Sequence, residues 1–194
     1  MVSQAFTEGE IAVRTAVFED APAIAKLHVE VWRETYRGLA TQAAWEALTP
    51  EVRLARWREV LAEDHPRRFT LVAERGGRLL GFGTACAPTE DEFEGRGEIR
   101  WLHVAPEAKR MGLGRALMAA LAGKLGEWGY LGCALGVVVG NAPAMAFYDA
   151  LGGRKAGGYV DPGPLWRSEN VVFVWDSLAD LVGAAQAAEK NRSL

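Results

Sequence analysis

A chain of 194 residues, 49% of them apolar and 24% charged, fits one globular domain with a sizeable core and excludes a disordered or fibrous protein. Its net charge of −3 offers no basic footprint for nucleic acid. Cys86 and Cys133 sit in apolar stretches and read as reduced core thiols, while His28, His65 and His103 have no Cys or His neighbours at zinc-ligand spacing.

In chain order, Met1 to Glu10 is polar and reads as a loose terminus without the basic and apolar segments of a signal peptide. Ile11 to Val17 alternates in part and predicts a first strand. Asp20 then caps a helix with Pro22 in its first turn and Ile24, Leu27, Val31 and Trp32 on its inner face, fading at Tyr36-Arg37-Gly38. Ala40 to Leu48 is a short helical patch ended by Thr49-Pro50. A second helix over Glu51 to Glu63 turns Leu54, Trp57, Val60 and Leu61 inward; its run of Arg53, Arg56 and Arg58 invites an anion-binding reading but reads rather as a solvated or semi-solvated surface.

Arg68 to Arg75 and Arg78 to Ala87 form a hairpin around Gly76-Gly77, with Gly81 and Gly83 marking a bulge or close packing. Pro88 to Gly97 is acidic and turn-rich, and Glu98 to Val104 is the next strand. Leu113, Leu117, Leu121 and Leu125 recur at helical steps up to Trp128-Gly129. Cys133 to Val139 reads as a strand buried on both faces. Asn141 starts a helix that carries Pro143 and ends before Gly152-Gly153. Ala156 to Val160 and Val171 to Trp175 make a last strand pair across Pro162-Gly163-Pro164, and Leu178 to Glu189 is an alanine-rich helix, a candidate contact for a homodimer. No apolar run is long enough to span a bilayer, so a cytoplasmic location is expected. The division expected is a loose terminus (1–10), one α/β domain (11–176) and a helical extension (177–194).

Two stretches carry chemistry. In Lys109-Arg110-Met111-Gly112-Leu113-Gly114-Arg115 a strand gives way to a helix through a basic turn whose glycines let an anion approach backbone N–H groups. The same pattern also fits a tight strand–helix connection with basic residues in solvent; it is neither a complete G-x-G-x-x-G nor a nucleotide triphosphatase loop. In the second stretch Asn141 is a helix N-cap, and Tyr148 follows it by two helical turns along the same face. A tyrosine hydroxyl, with a pKa of ~10, suits protonation of a departing thiolate.

Together these stretches resemble the GNAT superfamily of N-acetyltransferases, whose Gln/Arg-x-x-Gly-x-Gly/Ala turn is met here with Lys109 in first place, and whose Asn…Phe-Tyr…Leu-Gly segment appears as Asn141, Phe147-Tyr148 and Leu151-Gly152. The resemblance implies a mixed, mostly antiparallel sheet with a central parallel strand pair, flanked by helices. It implies acetyl-CoA as acyl donor and an amine of a small molecule or peptide as acceptor, with no metal, nucleic acid or membrane. The N–H groups of Arg110, Met111, Gly112, Leu113, Gly114 and Arg115 would cradle the pyrophosphate beside Lys109. Leu102, His103 and Val104 would pair with the pantetheine arm, and the Val104 N–H would polarise the acetyl carbonyl. Asn141 would hold the arm, Tyr148 would protonate the thiolate, and Trp32 and Tyr36 would face the acceptor.

An alkyl amine is protonated at neutral pH, so a base is needed. Glu98 is the candidate; strict alternation puts it on the face of Leu102 and Val104, where a charge requires a cleft or a bulge, and it also fits an exposed strand start. His103 reads as a packed or half-exposed strand residue rather than a base. Glu90, Asp91, Glu92 and Glu94 suit a cationic amine or a solvated hairpin, and Arg37 and Arg154 suit an acceptor with a carboxylate; both readings stand. The rival to an enzyme is a non-catalytic acyl-CoA binder on the same fold.

Overall fold

The computed structural model describes residues 11–62 and 65–190, with the side chains of 188–190 left out; the terminus at 1–10, Glu63 and the residues after 190 lie outside the described residues. The elements are β1 (Ala12–Thr15), α1 (Ala21–Thr35), α2 (Gln42–Ala47), α3 (Pro50–Ala62), β2 (Arg68–Arg75), β3 (Arg78–Cys86), β4 (Gly97–Val104), α4 (Leu113–Glu127), β5 (Cys133–Val138), α5 (Ala142–Asp149), β6 (Arg154–Asp161), β7 (Ser168–Trp175) and α6 (Leu178–Lys190). The strands form one mixed sheet in the order β1-β2-β3-β4-β5-β7-β6, antiparallel except for β4 beside β5. This is the architecture the resemblance implies.

The two faces of the sheet are covered differently. The leucines of α4 sit on strand positions that lack a side chain: a Cβ on Gly97 would lie 2.6 Å from Leu125 Cδ2, and one on Gly83 would lie 2.8 Å from Leu121 Cδ1. These glycines let the helix lie close to the backbone. On the opposite face α1 and α3 bring His28 and Trp57 against Phe82, whose ring stacks on His103 at 5.0 Å. The apolar side of α6, through Leu181 and Ala185, is buried in the same core.

Two irregularities shape the centre of the sheet. Opposite Gly83, β4 carries an extra residue: Phe82 pairs with His103 and Thr84 with Arg100, so Trp101 and Leu102 both face one position. Trp101 takes up the excess in the left-handed region, φ +48°, an unusual place for a bulky side chain. The bulge overturns strict alternation. Trp101 packs against Trp57 at 5.0 Å and His103 joins the α1 face, whereas Leu102 would meet a Cβ on Gly83 beside Leu121 of α4. Glu98 therefore shares its face with His103, not with Leu102 and Val104.

The second irregularity is the seam between β4 and β5. Only Gly97↔Cys133 and Glu98↔Ala134 pair, and the strands part beyond them.

Other local expectations need correction. Asp20 precedes α1, but its carboxylate makes no cap; it grips the Arg14 guanidinium at 2.7 and 2.8 Å and accepts the Val17 N–H at 2.8 Å. An arginine fork outcompetes the helix amides for both oxygens. Strand β5 is not buried throughout, because Gly136 is exposed on the cleft side. The acidic segment after β3 is not wholly solvated either: it holds a 3-10 turn, Asp91–Phe93, that buries Phe93 completely.

Candidate active site

Where β4 and β5 part, a cleft of about 620 Å³ opens between the ends of α1, α4 and α5 and the loop joining β6 to β7. Backbone direction makes its inner edge polar. Ala105 N–H donates to the Leu80 carbonyl of β3 at 2.8 Å. Successive strand N–H groups point to opposite edges, so the Val104 N–H points away from β3, into the gap that β5 leaves unpaired.

One end of the cleft is the start of α4. Gly112 is its N-cap at φ +91°, a left-handed conformation that favours glycine, and no side chain caps the helix. The first intrahelical bonds run from Arg115 and Ala116 to the Gly112 carbonyl, which leaves the Leu113 and Gly114 N–H groups without a helical acceptor. The three cations of this turn differ in state. Lys109 is ion-paired with Glu34 at 2.7 Å, Arg115 donates to the Ala184 carbonyl of α6 at 3.3 Å, and Arg110, itself at φ +63°, has no ion pair among the described residues. Gly114 also serves packing, since a Cβ there would lie 3.3 Å from Phe147 Cζ. A cradle of free amides and one free cation fits a pyrophosphate.

Beside it, Asn141 caps α5, its side chain accepting the Ala144 N–H at 3.3 Å. Tyr36, the C-cap of α1, is pushed above its ordinary pKa by burial, and a hydrogen bond with Asn141 offsets part of that rise. Tyr148 lies in the wall between Phe147, Phe173 and Trp175. Burial, with Tyr36 adding to it, raises the Tyr148 phenol well above the usual value, so it holds its proton throughout the neutral range.

Glu98 is 5% exposed and lines the cleft. Thr89 donates to it through N–H at 3.0 Å and through its hydroxyl at 2.9 Å, and Arg100 Nε pairs with the other oxygen at 2.8 Å. Desolvation still wins: the carboxyl pKa is raised, with Arg100 and Thr89 opposing. Across the bulge His28 and His103 face each other at 4.6 Å. Trp57 donates its indole N–H to His28 Nδ1 at 3.1 Å, so neutral His28 carries its proton on Nε2. Burial holds both imidazoles low, His103 at about 4.

Thirteen of the residues singled out in the sequence line this one cleft: Trp32, Tyr36, Glu98, Leu102, His103, Val104, Lys109, Arg110, Gly112, Gly114, Arg115, Asn141 and Tyr148. Met111 points to solvent and Leu113 into the core, so neither side chain lines it. Arg37 and Arg154 are also absent from the lining, and Arg154 is ion-paired with Asp176.

Sequence reasoning placed Arg53 on a solvated surface and missed Tyr159 and Trp166; all three are in the wall. Arg53 stands one turn before buried Trp57, a spacing that puts both on one helix face and was the available signal. Tyr159 reaches from β6 across β7; a Cβ on Gly136 would lie 2.2 Å from its hydroxyl. Trp166 meets Trp32 at 6.0 Å and Tyr36 at 5.5 Å, joining the last loop to the end of α1.

The profile of the acetyltransferase (GNAT) family matches residues 24–152. The uncharacterized N-acetyltransferase YuaI of Bacillus subtilis (strain 168) is 31% identical over 142 residues, 72% of this chain and 78% of that protein. Mycothiol acetyltransferase of Pseudarthrobacter chlorophenolicus is 38% identical over 88 residues, 45% of this chain; the match spans only 27% of that longer protein. The crystal structure of PaiA N-acetyltransferase from Thermoplasma acidophilum in complex with coenzyme A superposes with a TM-score of 0.66 at 19% identity, over 85% of this chain and 98% of that one. That likeness shows the fold.

Proposed function

The chain belongs to the GNAT acetyltransferase family, and on that premise we propose that it transfers an acetyl group from acetyl-CoA to a primary amine of a small molecule or peptide by direct attack. The observation that carries this reading is the open seam, with the Val104 N–H turned into it, the free amides of α4 at one end and the buried Tyr148 hydroxyl in its wall.

In this reading the α4 amides and Arg110 hold the pyrophosphate, and Asn141 and the β4 edge from Leu102 to Val104 hold the arm. The Val104 N–H polarises the acetyl carbonyl, where negative charge builds as the amine attacks. The C–N bond forms and the C–S bond breaks. Tyr148 donates its proton to the departing thiolate and regains one from solvent. The proton lost by the nitrogen goes to Glu98, whose burial makes it a stronger base than a solvated glutamate. Trp32 and Tyr36 form the acceptor wall.

One observation favours the rival reading of a binder without turnover: both Glu98 oxygens already have partners. A panel of amines with acetyl-CoA, read as released CoA thiol, separates the two. Turnover that Tyr148→Phe slows supports the transferase. Tight acetyl-CoA binding with no amine consumed supports the binder.

A further inference from the structure

The charges around the cleft are almost all answered within the protein. Glu98 holds Arg100, Glu34 holds Lys109, and the Asp161 carboxylate accepts the Gly163 N–H of its own turn at 2.8 Å. Among the described residues three lining arginines have no ion pair: Arg115, which donates to the Ala184 carbonyl instead, Arg110, at the start of α4, and Arg53, on α3. Arg110 lies where the donor's phosphates are expected. Arg53 has no such explanation.

Arg53 belongs to the opposite wall, beside the histidine pair. Its Nε is fully buried without a hydrogen-bond partner, and its charge is felt by both His28 and His103. A largely buried guanidinium beside two neutral imidazoles is an uncompensated positive charge, and buried charges are normally paired. The chemistry around it suits an anion. His28, its Nδ1 occupied by Trp57, has its Nε2–H as its remaining donor; the one N–H of neutral His103 is engaged with the Trp101 backbone, so His103 adds no donor. His103 adjoins Val104, whose N–H marks the acetyl position in the reading above.

We infer that Arg53 and His28 form an anion subsite for the acceptor, so that the preferred amine carries a carboxylate a few bonds from its nitrogen. This rests on the acetyltransferase reading and narrows it to small zwitterions of the amino-acid kind. The guanidinium matches a carboxylate with two parallel N–H groups, and the neutral imidazole adds a third donor at no charge cost. The carboxylate would neutralise Arg53 and orient the amine towards the seam. Trp101 and Phe82 keep water from one side of the subsite, which strengthens the pairing.

The test is a set of matched acceptors: glycine, β-alanine, 4-aminobutyrate and the common α-amino acids, each beside its carboxamide, with aminoalkylphosphonates as a third arm. Acids should exceed amides by tenfold or more in kcat/KM. In Arg53→Gln that ratio should fall towards one through the acceptor KM, while the KM for acetyl-CoA holds; Arg53→Lys should restore part of it. Equal use of acids and amides by the parent protein, or an unchanged ratio in Arg53→Gln, would overturn the subsite, and a preference for phosphonates would overturn the carboxylate assignment. If no amine turns over, the transferase reading fails separately. The subsite is then decided by the imidazole NMR signals of His28 and His103, with CoA present and glycine, β-alanine and 4-aminobutyrate added in turn. Shifts that vanish in Arg53→Gln sustain it, and their absence in the parent protein removes it.

Discussion

Lys109, on the turn into α4, is ion-paired with Glu34, on the last turn of α1, at 2.7 Å across the mouth of the cleft. Both side chains are 45% exposed, so the pair is worth about 0–1 kcal/mol in stability. Its effect falls on binding. With Glu34→Gln, Lys109 is released towards the phosphates of acetyl-CoA, and the dissociation constant should fall about two- to fivefold at low salt, within that same energy range. The gain should shrink as ionic strength rises. Calorimetry at two salt concentrations checks both statements; weaker binding in the variant would count against the phosphate assignment of this turn.

Gly112 and Gly114 are expected to respond differently to alanine. Gly112 lies at φ +91°, where any L side chain is strained by roughly 1–2 kcal/mol. Gly114 has an ordinary backbone, and its Cβ would meet only the tip of the Phe147 ring at 3.3 Å. Gly112→Ala should therefore lower the melting temperature and weaken acetyl-CoA binding more than Gly114→Ala does. Thermal scans with and without acetyl-CoA would show the order.

Tyr148→Phe removes the proton donor while keeping a ring among Phe147, Phe173 and Trp175. Loss of a general acid costs about 10²–10⁴-fold in rate. The fall should appear in kcat with little change in the KM for acetyl-CoA. Because burial raises the Tyr148 pKa, no loss of activity from its ionisation should appear up to pH 9. A basic limb below pH 9 that disappears in Tyr148→Phe would contradict the assignment.

Glu98 and the histidines act on pH dependence from opposite sides. The raised Glu98 pKa should move the acid limb of kcat/KM above the ordinary carboxylate range, and Glu98→Gln should abolish that limb along with most of the rate. The histidines govern stability. Unfolded imidazoles titrate near ~6.5, whereas folded His103 does so at about 4 and His28 well below its usual value. Between those limits the unfolded chain binds more protons, so stability falls as pH drops from ~6.5 towards 4. His103 alone should account for a loss of ~2 kcal/mol by pH 5, or roughly 4–8 °C in melting temperature for a chain of this size, and His28 adds to it. His103→Gln should flatten the slope.

The turn at Lys109 to Arg115 and the pair Asn141 and Tyr148 were legible because each is local: spacing along one helix or one turn places them. The bulge at Trp101 was not. Val, Leu, Trp and His all suit a strand, and only the pairing with Gly83 shows that two residues share one position. Arg53 was misjudged for a related reason. Helical periodicity gives a face, and the face next to Trp57 meets a cleft only because α3 packs beside the parted end of β4. Trp166 and Tyr159 depend on β7 entering between β5 and β6, an exchange of strand order that no run of residues announces.

The two residue pairs that join β4 to β5 divide seven strands into β1–β4 and β5–β7. Hydrogen exchange would see these halves as separate cooperative units, with the facing amides beyond Glu98 and Ala134 exchanging early. A ligand strung along the seam replaces the missing ladder and welds the units together. Protection should then rise first at Val104 and its neighbours on the open edge, and change little in the pairing of β2 with β3 on the other side of β4.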